Sequence, residues 1–295
     1  MTAVEDIVRR QLSDSAVKAR TLAGVIGWPV GHSLSPRLHG YWLRENTIDG
    51  AYVRLAVAPE DFTAVMAVLP EMGFAGWNVT VPYKEMALTA VTRADDHATK
   101  IGAVNTVVVT DDGATLGSNT DGFGFLESLG EGAPDWDPEA KPVVLVGAGG
   151  AAKSVAWALA DAGVPELRIV NRTASRASGL AREIGEVAAP VPWKSRSDAL
   201  AGAGLVVNAT SLGMVGQASL DLPLDALPTN AVVNDLVYAP QTTELLKRAQ
   251  SRGNHTVGGL GMLLHQARRG FTAWFGPEPS VTLELRDFVA AGLEP

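Results

Sequence analysis

The 295 residues contain no cysteine. That excludes disulfides, thiol nucleophiles and cysteine-ligated metals, and it fits a reducing, cytoplasmic setting. No run of about 18 apolar residues occurs, so a membrane span is not expected. The opening segment, MTAVEDIVRRQLSDSAVKAR, scatters charges along its length and has no apolar core, so it does not read as a secretory signal. Whether it forms a short amphipathic helix or stays loose is left open. Basic residues are outnumbered: 24 Lys and Arg face 32 Asp and Glu, for a net charge of −8. Such a chain has no overall basic field to gather nucleic acid, and any anionic ligand must be held by local groups. Metal-ligand patterns are missing too. His32 and His39 lie seven apart, and Asp95, Asp96 and His97 are adjacent, but neither matches a common ligand set, so no metal site is expected. Ser211 lacks the G-x-S-x-G surroundings of a hydrolase nucleophile.

What is present is a folded chain with a sizeable core: 46% hydrophobic and 19% charged residues. The length predicts about two domains. The most informative stretch runs from Val143 to Arg176. Val143 to Val146 read as a buried strand. Gly147, Gly149 and Ala152 fit the G-x-G-x-x-G/A turn, an alanine-rich helix follows, and Leu167 to Val170 read as a second strand. In that context the turn predicts a dinucleotide site. Gly147 permits the tight turn, Gly149 lets the backbone approach a pyrophosphate, and Ala152 lets the helix pack close to the sheet. An NAD site usually places Asp or Glu at the end of the second strand, to bond the ribose 2′-OH. Here that place holds Asn171 and Arg172, with Arg176 one helical turn on. Guanidinium groups pair with a 2′-phosphate that a carboxylate would repel, so the cofactor is predicted to be NADP.

Strands are also expected at Thr21–Gly27, 51–57, 76–81, 104–110, 205–208 and 232–236. Helices are expected from about Arg37, near 151–162 and 174–184, and from Leu260 to Phe275, stopped by Gly276-Pro277. The Gly- and Pro-rich segment 130–142 reads as an interdomain linker or surface loop. The predicted fold is two α/β domains with a cleft between them, the C-terminal one a Rossmann-like doubly wound parallel sheet. The predicted boundaries are 1–125 plus 258–295 for a substrate-binding, catalytic domain and 126–257 for an NADP-binding domain.

Four polar clusters lie outside the glycine-turn half, in or beside predicted strand ends: 31–36 (GHSLSP), 78–84 (NVTVPYK), 102–106 (GAVNT) and 117–122 (GSNTDG). Hydroxyls, amides, one lysine and one aspartate suit a small, heavily hydroxylated ligand. Taken with VGAGGAA, NRTASR, NATSLGM, DLVYAPQTT and GLGMLLHQA, in this order, the chain resembles the shikimate dehydrogenase family from about residue 24 to residue 275. Gly40 and Trp77 depart from the family pattern without touching its reactive groups.

The resemblance implies NADPH-dependent, reversible reduction of 3-dehydroshikimate to shikimate, on the route to aromatic amino acids. It implies Lys84 and Asp121 as the catalytic pair. Ser33 and Ser35 would hold the substrate carboxylate, with Tyr238 nearby, and Thr80, Asn105 and Gln266 would bond the ring hydroxyls alongside Lys84 and Asp121. Gly147, Ala148, Gly149, Gly150 and Ala151 would take the pyrophosphate. Asn171, Arg172, Thr173 and Arg176 would take the 2′-phosphate, and Met214 and Gly259 would lie near the nicotinamide. The partner is a small molecule, the assembly a monomer or homodimer. Two alternatives stand beside this reading: a quinate/shikimate dehydrogenase of broader specificity, and a non-catalytic NADP-binding sensor.

Overall fold

In the computed structural model, residues 3–12 and 20–293 are described. The chain forms two six-stranded sheets and separates into two compact units. One comprises 1–120 and 266–292, the other 121–265 and 293–295.

The first unit is built on β1 (Thr21–Gly27), β2 (Gly50–Ala56), β3 (Phe74–Val79), β4 (Arg93–Ala94), β5 (Thr106–Val109) and β6 (Thr115–Ser118). Their spatial order is β2-β1-β3-β5-β6-β4. The pairs β1–β2, β1–β3 and β4–β6 are parallel, whereas β3–β5 and β5–β6 are antiparallel. The Asp112-Gly113 turn predicted after β5 closes the β5–β6 hairpin, with Gly113 at φ +79°.

Helices α1 (Ala3–Arg9), α2 (Ser35–Glu45), α3 (Phe62–Val68), α4 (Lys84–Ala90) and α5 (Asp96–Ile101) precede or connect these strands. Helix α2 begins two residues before its expected start, because Pro36 sits in its first turn, where a missing N–H costs nothing. Strand β3 stops at Val79, two residues before its expected end. The question left open at the amino terminus is settled in part. Residues 3–9 are helical, Val8 is buried in the core with Phe62, Phe74 and Trp77, and residues 13–19 lie outside the described ones. The Gln11 side-chain amide receives the N–H of Ala56 (2.6 Å) and donates to its C=O (3.1 Å).

The second unit holds β7 (Val143–Val146), β8 (Leu167–Asn171), β9 (Ala188–Pro192), β10 (Leu205–Asn208), β11 (Val232–Asp235) and β12 (His255–Val257). All pairings are parallel, in the order β12-β11-β10-β7-β8-β9. Read from the β9 edge, this is the 3-2-1-4-5-6 order of a doubly wound dinucleotide fold, with its switch point between β7 and β10. Every residue of β7 and β10 is buried, so both faces of the sheet are covered, as a parallel sheet requires. The helices are α6 (Asp121–Gly132), α7 (Gly150–Asp161), α8 (Ala174–Ile184) and α9 (Glu244–Ser251). After them, α10 (Leu260–Phe275) starts in this unit and ends in the first, and α11 (Leu283–Ala290) completes the first.

The units divide at 120/121 and 265/266, rather than at the expected 125/126 and 257/258. Packing explains the shift. Helix α6 lies so close to α7 that a Cβ on Gly122 would stand 3.0 Å from the Ser154 carbonyl oxygen. At the other boundary, Met262 packs on the second unit's core, and His265 Nε2 meets Glu131 Oε2 at 3.0 Å. Segment 130–142 is therefore internal to this unit: its first three residues finish α6, and the rest is a surface loop.

Candidate active site

The glycine turn has the geometry its sequence requires. Gly147 follows β7 at φ +124°, a conformation hostile to other residues, and its N–H bonds the Val170 carbonyl at 2.9 Å. Ala148 packs on the core, and Ala152 is fully buried against it. Gly149 caps α7 with no side-chain bond, so the first N–H groups of that helix keep their donors. A Cβ on Gly149 would meet nothing within 4 Å. Packing within this chain therefore does not demand glycine here. Gly150 and Ala151 begin the helix, half-buried, and the turn forms a cradle suited to an anion.

At the end of β8, the Asn171 amide donates to the Thr173 carbonyl at 3.0 Å, which holds the entry to α8. Arg172, Thr173 and Arg176 are exposed. Neither guanidinium has an acidic partner among the described residues, so two fixed positive charges stand where a dinucleotide fold presents the adenosine ribose. No carboxylate occupies that strand end.

The loops after β10 and β11 are tied together by a buried carboxylate. Asp235 accepts from Asn208 Nδ2 (2.9 Å), Val237 N (3.0 Å) and Thr243 Oγ1 (2.6 Å). Burial pushes its pKa up, and these three donors pull it part of the way back. Asn208 Oδ1 in turn receives the N–H and hydroxyl of Thr210. This network fixes the loop that carries half-buried Met214 and the one that carries Tyr238, and Val215 N bonds Ala239 O at 2.8 Å between them. Burial raises the Tyr238 pKa, so its phenol stays protonated and remains a donor. Gly259 lies against the main chain: a Cβ there would fall 2.1 Å from the Leu236 carbonyl oxygen, so packing alone demands glycine. Sequence reasoning gave no role to Asn208, Asp235 or Thr243, although each sits in a quoted motif.

In the first unit, three of the polar clusters, 78–84, 102–106 and 117–122, join in one buried network. Asn105 is 2% exposed, and its Oδ1 accepts from Thr120 N and Thr106 Oγ1, both at 2.9 Å. Its Nδ2 faces Thr120 Oγ1 at 3.2 Å and Gln266 Oε1 at 3.4 Å. Asn78 Nδ2 donates to Asn105 O and Thr106 Oγ1, each at 3.1 Å, and Tyr52 Oη donates to Asn78 Oδ1 at 2.6 Å. Burial pushes the pKa of the Tyr52 phenol up, and the nearby Ser35 side chain offsets part of that rise. Ser33 and Ser35 meet in the turn before α2, where Ser35 N donates to Ser33 Oγ at 3.3 Å. Thr80 follows β3, with its N–H on the Ile26 carbonyl at 2.9 Å. Lys84 opens α4, half-buried, and its carbonyl accepts from Val104 N at 2.8 Å, next to Asn105.

Ser33, Ser35, Thr80, Lys84, Asn105 and Gln266 therefore share the first unit, while Asp121 and Tyr238 belong to the second. Asp121 was expected with the first group. It is 4% exposed and is the first residue of α6, where a helix dipole favours a carboxylate. Tyr52, Thr106 and Thr120 were not anticipated as network members. His39 is a packing residue. Its ring stacks on Tyr52 at 3.9 Å and 4°, neither nitrogen has a partner, and burial lowers its pKa to about 3.

Sheet order, glycine turn and unpaired guanidinium groups define a dinucleotide-binding α/β protein with a second α/β unit rich in buried amides and hydroxyls. Comparisons with known proteins narrow this. The model of the shikimate dehydrogenase substrate binding domain matches residues 25–107, and that of shikimate / quinate 5-dehydrogenase matches 134–215. A shikimate dehydrogenase (NADP(+)) from Paramagnetospirillum magneticum is 58% identical over 272 residues, 92% of this chain and 98% of that one. The crystallised quinate dehydrogenase from Corynebacterium glutamicum with NAD superimposes with a TM-score of 0.85 at 34% identity, covering 92% of this chain and 99% of that one. The Thermus thermophilus shikimate 5-dehydrogenase with NADP(H) and shikimate gives 0.80 at 35%, covering 92% and 98%. The chain belongs to the shikimate dehydrogenase family.

Proposed function

We propose that this chain reduces 3-dehydroshikimate to shikimate with NADPH, reversibly, as a step toward aromatic amino acids. The observation that carries the cofactor choice is the pair of exposed guanidinium groups, Arg172 and Arg176, at a strand end that lacks a carboxylate. Gly147 to Ala151 take the pyrophosphate through main-chain N–H groups, and Asn171 and Thr173 join the arginines at the 2′-phosphate. Met214 and Gly259 line the nicotinamide end. When bound, NADPH supplies the hydride.

The protein's own part is orientation and a proton. Ser33, Ser35 and Tyr238 hold the carboxylate, and Thr80, Asn105 and Gln266 bond ring hydroxyls. As charge develops on the substrate's carbonyl oxygen, the Lys84 ammonium gives it a proton, and in the oxidative direction the neutral amine takes that proton back. Asp121 orients Lys84 and a substrate hydroxyl. The first unit is thus the substrate-binding unit and the second the NADP-binding unit. The absence of cysteine, and of any described helix long and apolar enough to cross a membrane, is compatible with work in the cytoplasm.

A quinate-using reading is favoured by one observation, the likeness to the quinate dehydrogenase fold. Steady-state rates with shikimate and quinate, each with NADP⁺ and NAD⁺, decide between them. Shikimate with NADP⁺ is expected to give the highest kcat/KM. Faster turnover of quinate, or equal use of NAD⁺, contradicts the proposal, and no shikimate-dependent reduction of NADP⁺ revives the sensor reading. Lys84→Met is expected to lower kcat by about 10²–10⁴ while NADPH affinity stays near wild type.

A further inference from the structure

The proposed carboxylate pocket presents neutral hydroxyls in a chain whose net charge is −8. Hydroxyls alone accept a neutral ligand as readily as an anion, so a cation is needed nearby. Strand β2, which contributes nothing to the family motifs quoted above, supplies one. Arg54 donates from Nε (3.0 Å) and Nη2 (2.7 Å) to the main-chain carbonyl of Ser33. No carboxylate among the described residues pairs with this guanidinium, so its charge is uncompensated.

Tyr52, two residues earlier on the same face of β2, lies near the other serine, and its phenol donates to Asn78 Oδ1 at 2.6 Å. The serine turn is therefore held from β2 through the Ser33 carbonyl. Ser33 cannot drift, because a planar fork grips its carbonyl by two donors.

We propose that Arg54 is the positioning residue that makes the Ser33–Ser35 pocket select a carboxylate over an uncharged group. Its guanidinium fixes the serine turn and supplies the positive potential that the serines lack. This rests on the substrate reading above.

The test uses the full-length chain with NADP⁺ and compares shikimate with its uncharged methyl ester in the wild type, Arg54→Gln and Arg54→Lys. In Arg54→Gln, the KM for shikimate is expected to rise about 10–100-fold, as for a lost hydrogen bond to a charged group, with kcat little changed and the KM for NADP⁺ unchanged. The preference for acid over ester falls by the same factor. Arg54→Lys restores part of that preference, because it keeps the charge and loses the fork. Raising the salt concentration weakens shikimate binding in the wild type and leaves Arg54→Gln nearly unaffected.

A wild type active on shikimate together with an Arg54→Gln variant of unchanged acid-to-ester ratio overturns this inference alone. A wild type inactive on shikimate overturns the functional reading, and the inference falls with it. Should Arg54→Gln fail to fold, the wild-type salt dependence decides. Equal salt sensitivity for acid and ester overturns the inference, and sensitivity for the acid only supports it.

Discussion

The two units present their candidate ligand groups in opposite ways. In the second, the groups proposed for the cofactor are main-chain N–H groups at a helix end and side chains standing in solvent. A Cβ on Gly149 would meet nothing, and Arg172 and Arg176 are exposed and have no acidic partner among the described residues. In the first, the groups proposed for the substrate are already parts of the fold. Asn105 is bonded to Thr106, Thr120 and Gln266, and Tyr52 joins the same network through Asn78. On the proposed assignment, cofactor choice is mounted on the surface of a generic sheet and can be changed without disturbing it, whereas substrate choice is built into the packing, so changes there act on stability and binding together.

The sharpest way to break this contrast is Asn105→Ala. It removes the acceptor of the buried Thr120 N–H and the Asn105 bonds to Thr106 and Gln266, so a loss of about 1–3 kcal/mol in urea unfolding is expected, together with a large rise in the KM for shikimate. Unchanged stability would show that the network is dispensable and the contrast false.

His39→Phe tests the same packing through pH. The His39 pKa falls from 6.5 to about 3 on burial, so the unfolded chain binds the proton more readily than the folded one. Stability is complete above pH 6.5 and is lost as the pH falls toward 3. Between pH 7 and pH 5 this single group should cost about 2 kcal/mol. Unfolding of the phenylalanine variant, measured at both pH values, should show that decrement removed. An identical pH response in both proteins would rule out His39 as the acid-sensitive group.

Arg172→Ala should have the smallest effect. NADPH affinity is expected to drop about tenfold, NADH affinity to stay level, and the melting temperature not to move. Equal weakening of both cofactors would remove the 2′-phosphate from its role.

Much of the second sheet was readable from the chain. Strands at 143–146 and 205–208 and the helices at 174–184 and 260–275 lie within a residue of expectation, because uninterrupted apolar runs between turn signals have few other uses. The edges were not readable. Strand β9 is AAPVP, and two prolines in five residues hide a strand that exists only because the outermost position tolerates missing donors. The division at 120/121 was missed for a related reason. Gly122 marks close helix packing, and a glycine does not announce what it is packed against. In the site, residues that carry a motif were visible as types. Tyr52 and Arg54 were not, because they act through contacts between segments about 20 to 26 residues apart.

The first dozen residues offer a last lesson. Strand β2 lies at the rim of its sheet, and a rim strand can recruit a stranger's backbone. Gln11 occupies both free main-chain groups of Ala56 with one side-chain amide, in the manner of a neighbouring strand one residue long. An intruding chain therefore finds the end of the rim already taken. A shortened protein that began at the first family motif would lose this cover on the rim together with Val8 from the core.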